Sequence, residues 1–112
     1  MIVDMNINTD ANNLMREDIP ILLETIGFKD DACSMRQIRA CEYARAAEFL
    51  KGILERAKGV MIGSTYDDVA EFGFWAMAAL WSAVDENESD FIYCFNKYKI
   101  AVHEWWSSFV IH

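Results

Sequence analysis

From Val69 to Val84 the chain is almost unbroken apolar sequence, interrupted, apart from Gly73, only by Glu71 and Ser82. Hydrophobic positions on every side predict a helix enclosed by other helices. At about 1.5 Å per residue the stretch covers about 24 Å, short of the roughly 30 Å hydrocarbon core of a bilayer, and its flanks are acidic instead of basic. A membrane span is therefore not expected. Gly63, Ser64 and Thr65 read as the loop and cap before this helix, and Asp67, Asp68 and Glu71 suit the positive end of its dipole.

The segment before it reads as a helix from Ser34 to about Lys58. Ser34 and Gln37 have capping-box spacing, Cys33 can staple onto Ile38, and Gly59 supplies a stop. Ile38, Ala46, Phe49, Leu50, Ile53, Leu54 and Ala57 fall on one broad face. Glu42 is the charge inside that stripe and calls for an ion-pair partner, Arg39 or Arg45. The last helix starts after the polar stretch 85–90, with Asn87 or Ser89 as cap. Its positions Phe91, Phe95, Tyr98, Val102, Trp105 and Phe109 form a near-heptad seam. Tyr93, Ile100 and Ile111 make a second strip on the opposite side.

Near the start, Val3, Met5 and Ile7 alternate with Asp4, Asn6 and Asn8, which predicts a short extended arm over 1–9. A weak helical turn follows. A short helix over Asp18–Ile26 is expected next, with Pro20 in its first turn and Gly27 as its C-terminal cap. Pro20 argues against one continuous helix through this region. The expected fold is all-α: one domain over 1–112, a compact bundle of four to five helices with an extended N-terminal arm.

Charge sharpens this picture. The chain of 112 residues carries a net charge of −8, which opposes direct binding to nucleic acid or anionic lipid. The distribution is uneven. Residues 35–58 hold six bases against three acids, whereas residues 66–90 hold seven acids and no base, and the first 31 residues hold seven acids against Arg16 and Lys29. The three cysteines, Cys33, Cys41 and Cys94, form no CxxC pair and read as reduced core thiols of a cytoplasmic protein. The N-terminus has no secretory signal pattern.

Motifs for chemistry are incomplete. His103-Glu104 lacks the second histidine of a zinc-protease helix, since Ser107 stands there. Asp85, Asn87 and Ser89 match the early positions of a calcium loop, but Asp90 replaces its glycine and Asn96 its final glutamate. No nucleophile motif, phosphate loop, cofactor site or metal site is expected, and the reading is non-enzymatic.

The sequence thus points to an acidic protein-binding module, an inhibitor or adaptor of the kind encoded by phages and mobile elements. It would block a basic surface on a partner protein, as a nucleic-acid mimic does. The candidate contacts are Asp67, Asp68, Glu71, Asp85, Glu86, Glu88 and Asp90, with Trp105 and Trp106 as anchors, although adjacent tryptophans cannot both face one core. The alternative is a structural protein that self-assembles as a homodimer through its arm and its second apolar strip.

Overall fold

The computed structural model describes residues 7–61 and 63–110, with the side chains of Ser64 and 108–110 excepted. Helix α1 (Ile7–Asn13), a π-helical turn (Leu14–Asp18) and α2 (Ile19–Thr25) follow one another without a break. Two expectations are corrected here. Residues 7–9 of the anticipated arm are helical, and residues 1–6 lie outside the described residues. Pro20, moreover, does not interrupt the rod. A proline lacks an N–H and its ring collides with the carbonyl four residues back. The widened turn just before it, closed by an Ile19 N–H bond to the Leu14 carbonyl, gives that ring room.

Gly27 ends α2 as expected. At φ +97° it occupies the left-handed position, while its N–H bonds Glu24 O at 3.1 Å and the Phe28 N–H bonds Leu23 O at 2.7 Å. These two bonds satisfy carbonyls that the helix end leaves free.

Ser34, Gln37 and Cys33 do not begin a helix. Ser34 lies in the last turn of α3 (Lys29–Arg36), and Gln37 N–H turns back onto the Ser34 carbonyl at 3.1 Å. The turn closes at Cys41, held at φ +69°, and Glu42 is the residue before α4 (Tyr43–Val60). Helix α4 continues through Gly59, and α5 (Ser64–Val84) already includes Ser64 and Thr65. Asn87 caps α6 (Glu88–Val110), its Oδ1 accepting the Asp90 N–H at 3.1 Å. The all-α bundle is therefore observed, and the described residues contain no strand.

Helix α5 lies between α4 and α6 and packs extensively on both. Leu22 and Leu23 of α2, Leu50 and Ile53 of α4, Val69, Phe72 and Ala76 of α5, and Tyr98 of α6 surround one small interior gap, so α2 covers one side of the α4–α5–α6 layer. Burial of each large aliphatic side chain there contributes about 1.5–3 kcal/mol. The expected seam of α6 is present as far as Trp105: Phe91, Tyr98 and Trp105 are buried, Phe95 and Val102 pack half-buried beside them, and the side chain of Phe109 lies outside the described residues. The overall dimensions, 44 × 30 × 17 Å, are those of a flat body.

Candidate functional site

The seven acids of the α5 and α6 region are all exposed. Asp67, Asp68 and Glu71 occupy the first two turns of α5, while Asp85, Glu86, Glu88 and Asp90 occupy the turn into α6 and its first turn. Helix α5 spans about 1.5 Å per residue, which puts the two groups about 27 Å apart from Asp67 to Asp85. Asp68 and Glu71 meet Glu104 of α6 around a shallow cleft beside Ala101 and Trp105.

The ion pairs among the described residues leave these acids untouched. Arg36 pairs with Glu24, Arg56 with Asp31 at 2.9 Å, and Arg45 with Glu42 at 3.5 Å. Arg36, Arg45 and Arg56 thus engage acids of the first half of the chain. Arg45 supplies the partner that Glu42 required. One buried oxygen of that carboxylate has no hydrogen-bond partner among the described residues, so the 3.5 Å pairing is purely ionic.

Between the acidic groups, α5 turns an apolar strip to solvent. Phe74 is 56% and Trp81 40% exposed, and across the helix boundary Tyr93 of α6 is 57% exposed. Their positions on the helices explain this. Phe74, Ala78 and Trp81 recur at intervals of three and four residues opposite Phe72, Ala76 and Leu80, which face the core. The rings form a chain of edge contacts, Phe74 to Trp75 at 5.1 Å and Trp75 to Tyr93 at 5.9 Å. Lys97 lies 5.6 Å from the centre of the Tyr93 ring. Helix α5 is therefore central but not enclosed, which corrects the expectation from its composition.

The tryptophan pair divides as anticipated, with one ring in and one out. Trp105 is buried against Phe72 with ring centres 5.5 Å apart, so it serves the core and is no surface anchor. Trp106 is 53% exposed in a groove of about 400 Å³ with Asp18, Ile21, Lys99, Val102 and His103. Tyr93 and Ile100 of the second α6 strip are exposed, and Ile111 lies outside the described residues.

A second polar cluster surrounds Cys41. Asn12 Oδ1 accepts the Cys41 N–H at 2.7 Å, and Asn12 Nδ2 and the Tyr43 hydroxyl each approach its sulfur to 3.5 Å. The bonds from Asn12, then Tyr43, hold the Cys41 thiol below its ordinary range, because they favour the thiolate. The Tyr43 hydroxyl has a single proton to share between that sulfur and Asn8 Oδ1, 2.7 Å away. The cluster borders an open hollow of about 460 Å³ lined also by Glu42, Arg45 and Glu86. Cys33 and Cys41 are exposed and only Cys94 is a core thiol, correcting the expectation for the first two. Their positions near the end of α3 and in the turn after it keep them at the surface.

No family model, curated protein or solved structure matches this chain. Function must be argued from the surface itself. Among the described residues, no three His, Cys, Asp or Glu side chains gather to hold a metal ion, and no helix is long and apolar enough to cross a membrane. Asn87 is the cap of α6, one of the two residues expected there, and its Nδ2 also donates to Asp90 Oδ2 at 2.9 Å. The sequence located the acids. It missed Phe74, Trp81 and the Cys41 cluster, because uniform apolarity hides which side of a helix is covered and because Asn12 is remote in sequence from Cys41.

Proposed function

We propose that this protein is a non-enzymatic acidic binding module, an inhibitor or adaptor that occupies a basic surface of a partner protein, including one that would otherwise hold nucleic acid. One observation carries the reading: the acids from Asp67 to Asp90 are exposed, and every ion pair among the described residues engages an acid elsewhere. An uncompensated field of one sign speeds encounter with a surface of the opposite sign and repels the wrong partners.

The test compares the native chain with one carrying Asp85→Lys, Glu86→Lys, Glu88→Lys and Asp90→Lys, both used for affinity capture from the native host. Circular dichroism establishes that the variant is folded. Basic proteins captured by the native chain, and lost both in the variant and at high salt, support the reading. Predominantly acidic partners, or capture indifferent to the reversal, overturn it.

A further inference from the structure

Building on the acidic-module reading, we infer that the outer face of α5 is the docking site for a basic amphipathic helix, with Phe74 and Trp81 as its anchors. The face has the dimensions and pattern of a helix seat. Its apolar positions recur at the spacing by which two helices interdigitate. They lie on the side of α5 opposite the core residues that meet α2, and the Phe74–Trp75–Tyr93 ring chain widens the strip toward α6. Apolar patches rimmed by polar residues mark interaction sites on protein surfaces.

Charge selects the occupant. The apolar centre is bounded by Asp67 and Glu71 at one end and by Asp85 and Glu86 at the other, and residues 64–96 contain no Lys or Arg, the nearest base being Lys97 over the Tyr93 ring at the α6 edge. A second copy of this chain, laid antiparallel on the same face, would bring acids of one α5 against acids of the other. Anionic lipid meets the same repulsion. A helix of about 20 residues with apolar side chains at its centre and Lys or Arg in its first and last turns matches both the strip and its two ends. Helix-in-groove recognition of this type concentrates affinity in a few aromatic and aliphatic contacts, with the charges supplying steering and orientation.

The probe is a synthetic helical peptide of that design, titrated by fluorescence anisotropy against the full chain. Controls are the same peptide with glutamate ends and one with serine at its apolar positions. The native chain is expected to bind the basic peptide, more weakly as salt rises, and to ignore both controls. Phe74→Ser together with Trp81→Ser, at positions already exposed, should leave the helical spectrum intact and weaken binding at least about tenfold.

Equal affinity in the double variant overturns the assignment. So does concentration-dependent dimerisation that the double variant abolishes, which would make a second copy the occupant, or binding to phosphatidylcholine vesicles. In host capture, partners lost on charge reversal but kept by the Phe74/Trp81 variant eliminate this face and leave the acidic module standing. Partners kept through charge reversal eliminate the module reading itself.

Discussion

Gly73 of α5 faces Leu54 of α4 so closely that a Cβ at position 73 would lie 2.8 Å from both Leu54 methyl carbons and 3.3 Å from its Cγ. The glycine sits in mid-helix, where alanine would ordinarily be favoured by about 1 kcal/mol. Close approach of the two helices outweighs that preference. Leu54 is buried beside α5 and must shift as a whole to admit a methyl group. Gly73→Ala is therefore expected to destabilise by up to about 2 kcal/mol net, the overpacking cost less the propensity gain. In a Leu54→Ala background the same change should be neutral or stabilising, because the methyl then partly fills the space vacated. Urea denaturation of the four members of this cycle measures the coupling, and simple additivity would contradict the close contact.

Glu86 occupies a position that suits glycine. It holds φ +55° after the end of α5, its N–H bonding Ala83 O at 3.2 Å while Asn87 N–H bonds Ser82 O at 3.0 Å. This is the same terminating geometry that Gly27 provides after α2, but with a side chain in the left-handed region. Glu86→Gly should raise stability by about 0.5–1 kcal/mol, seen as a melting temperature higher by a few degrees. Glu86→Ala, which removes the charge but keeps a Cβ, should not reproduce the gain. Equal effects from the two variants would assign the gain to charge.

The Cys41 cluster makes a prediction about reactivity. Hydrogen bonds from Asn12 and Tyr43 favour its thiolate, and its sulfur is exposed, whereas burial raises the Cys94 thiol. With iodoacetamide near neutral pH, Cys41 should be alkylated several-fold faster than Cys33, and Cys94 should be protected in the folded protein. Asn12→Ala removes the largest of the bonding effects and should slow Cys41 specifically. Peptide mass mapping of a labelling time course reads all three sites, and a Cys41 rate unmoved by Asn12→Ala would refute the hydrogen-bond account.

How far the sequence discloses this arrangement depends on how local the cause is. The long helices α4, α5 and α6 are legible because apolar spacing repeats over many turns, and Gly27 and Asn87 are legible because caps act within a few residues. The turn between α3 and α4 is not. Residues 37–42 contain no Gly, Pro, Asn or Asp, and the chain reverses there on a left-handed Cys41 whose N–H is held by Asn12, 29 residues earlier. A capping-box pattern at Ser34 and Gln37 was present without the helix start it usually marks. Likewise, Pro20 is compatible with a continuous rod only through the π-helical turn, a feature without a sequence signature. The acids of the candidate site are visible in the sequence, but the outer face of α5 becomes visible only once α2 is seen on the opposite side.

Alkaline pH should expose the cost of burying two tyrosines. Burial, then the negative Asp18, raises the Tyr98 hydroxyl above its ordinary value of 10.0, and burial together with the Cys41 sulfur raises Tyr43. In each case the folded state holds the proton more tightly than the unfolded state does. Stability contributed in this way is fully present below about pH 10, the unfolded-state value, and declines as pH climbs from there toward the raised folded-state values. Each group adds up to about 1.4 kcal/mol of lost stability per pH unit in that window. Tyr98→Phe removes one ionisation. Because no hydrogen bond to the Tyr98 hydroxyl occurs among the described residues, the substitution should change stability little at pH 7 and flatten the decline above pH 10. Tyr43→Phe loses the 2.7 Å bond to Asn8 and should cost about 0.5–1.5 kcal/mol at neutral pH while also flattening the alkaline limb. Thermal melts followed by circular dichroism from pH 7 to 11.5 distinguish the two variants; a native chain as stable at pH 11 as at pH 9 would contradict the raised hydroxyls.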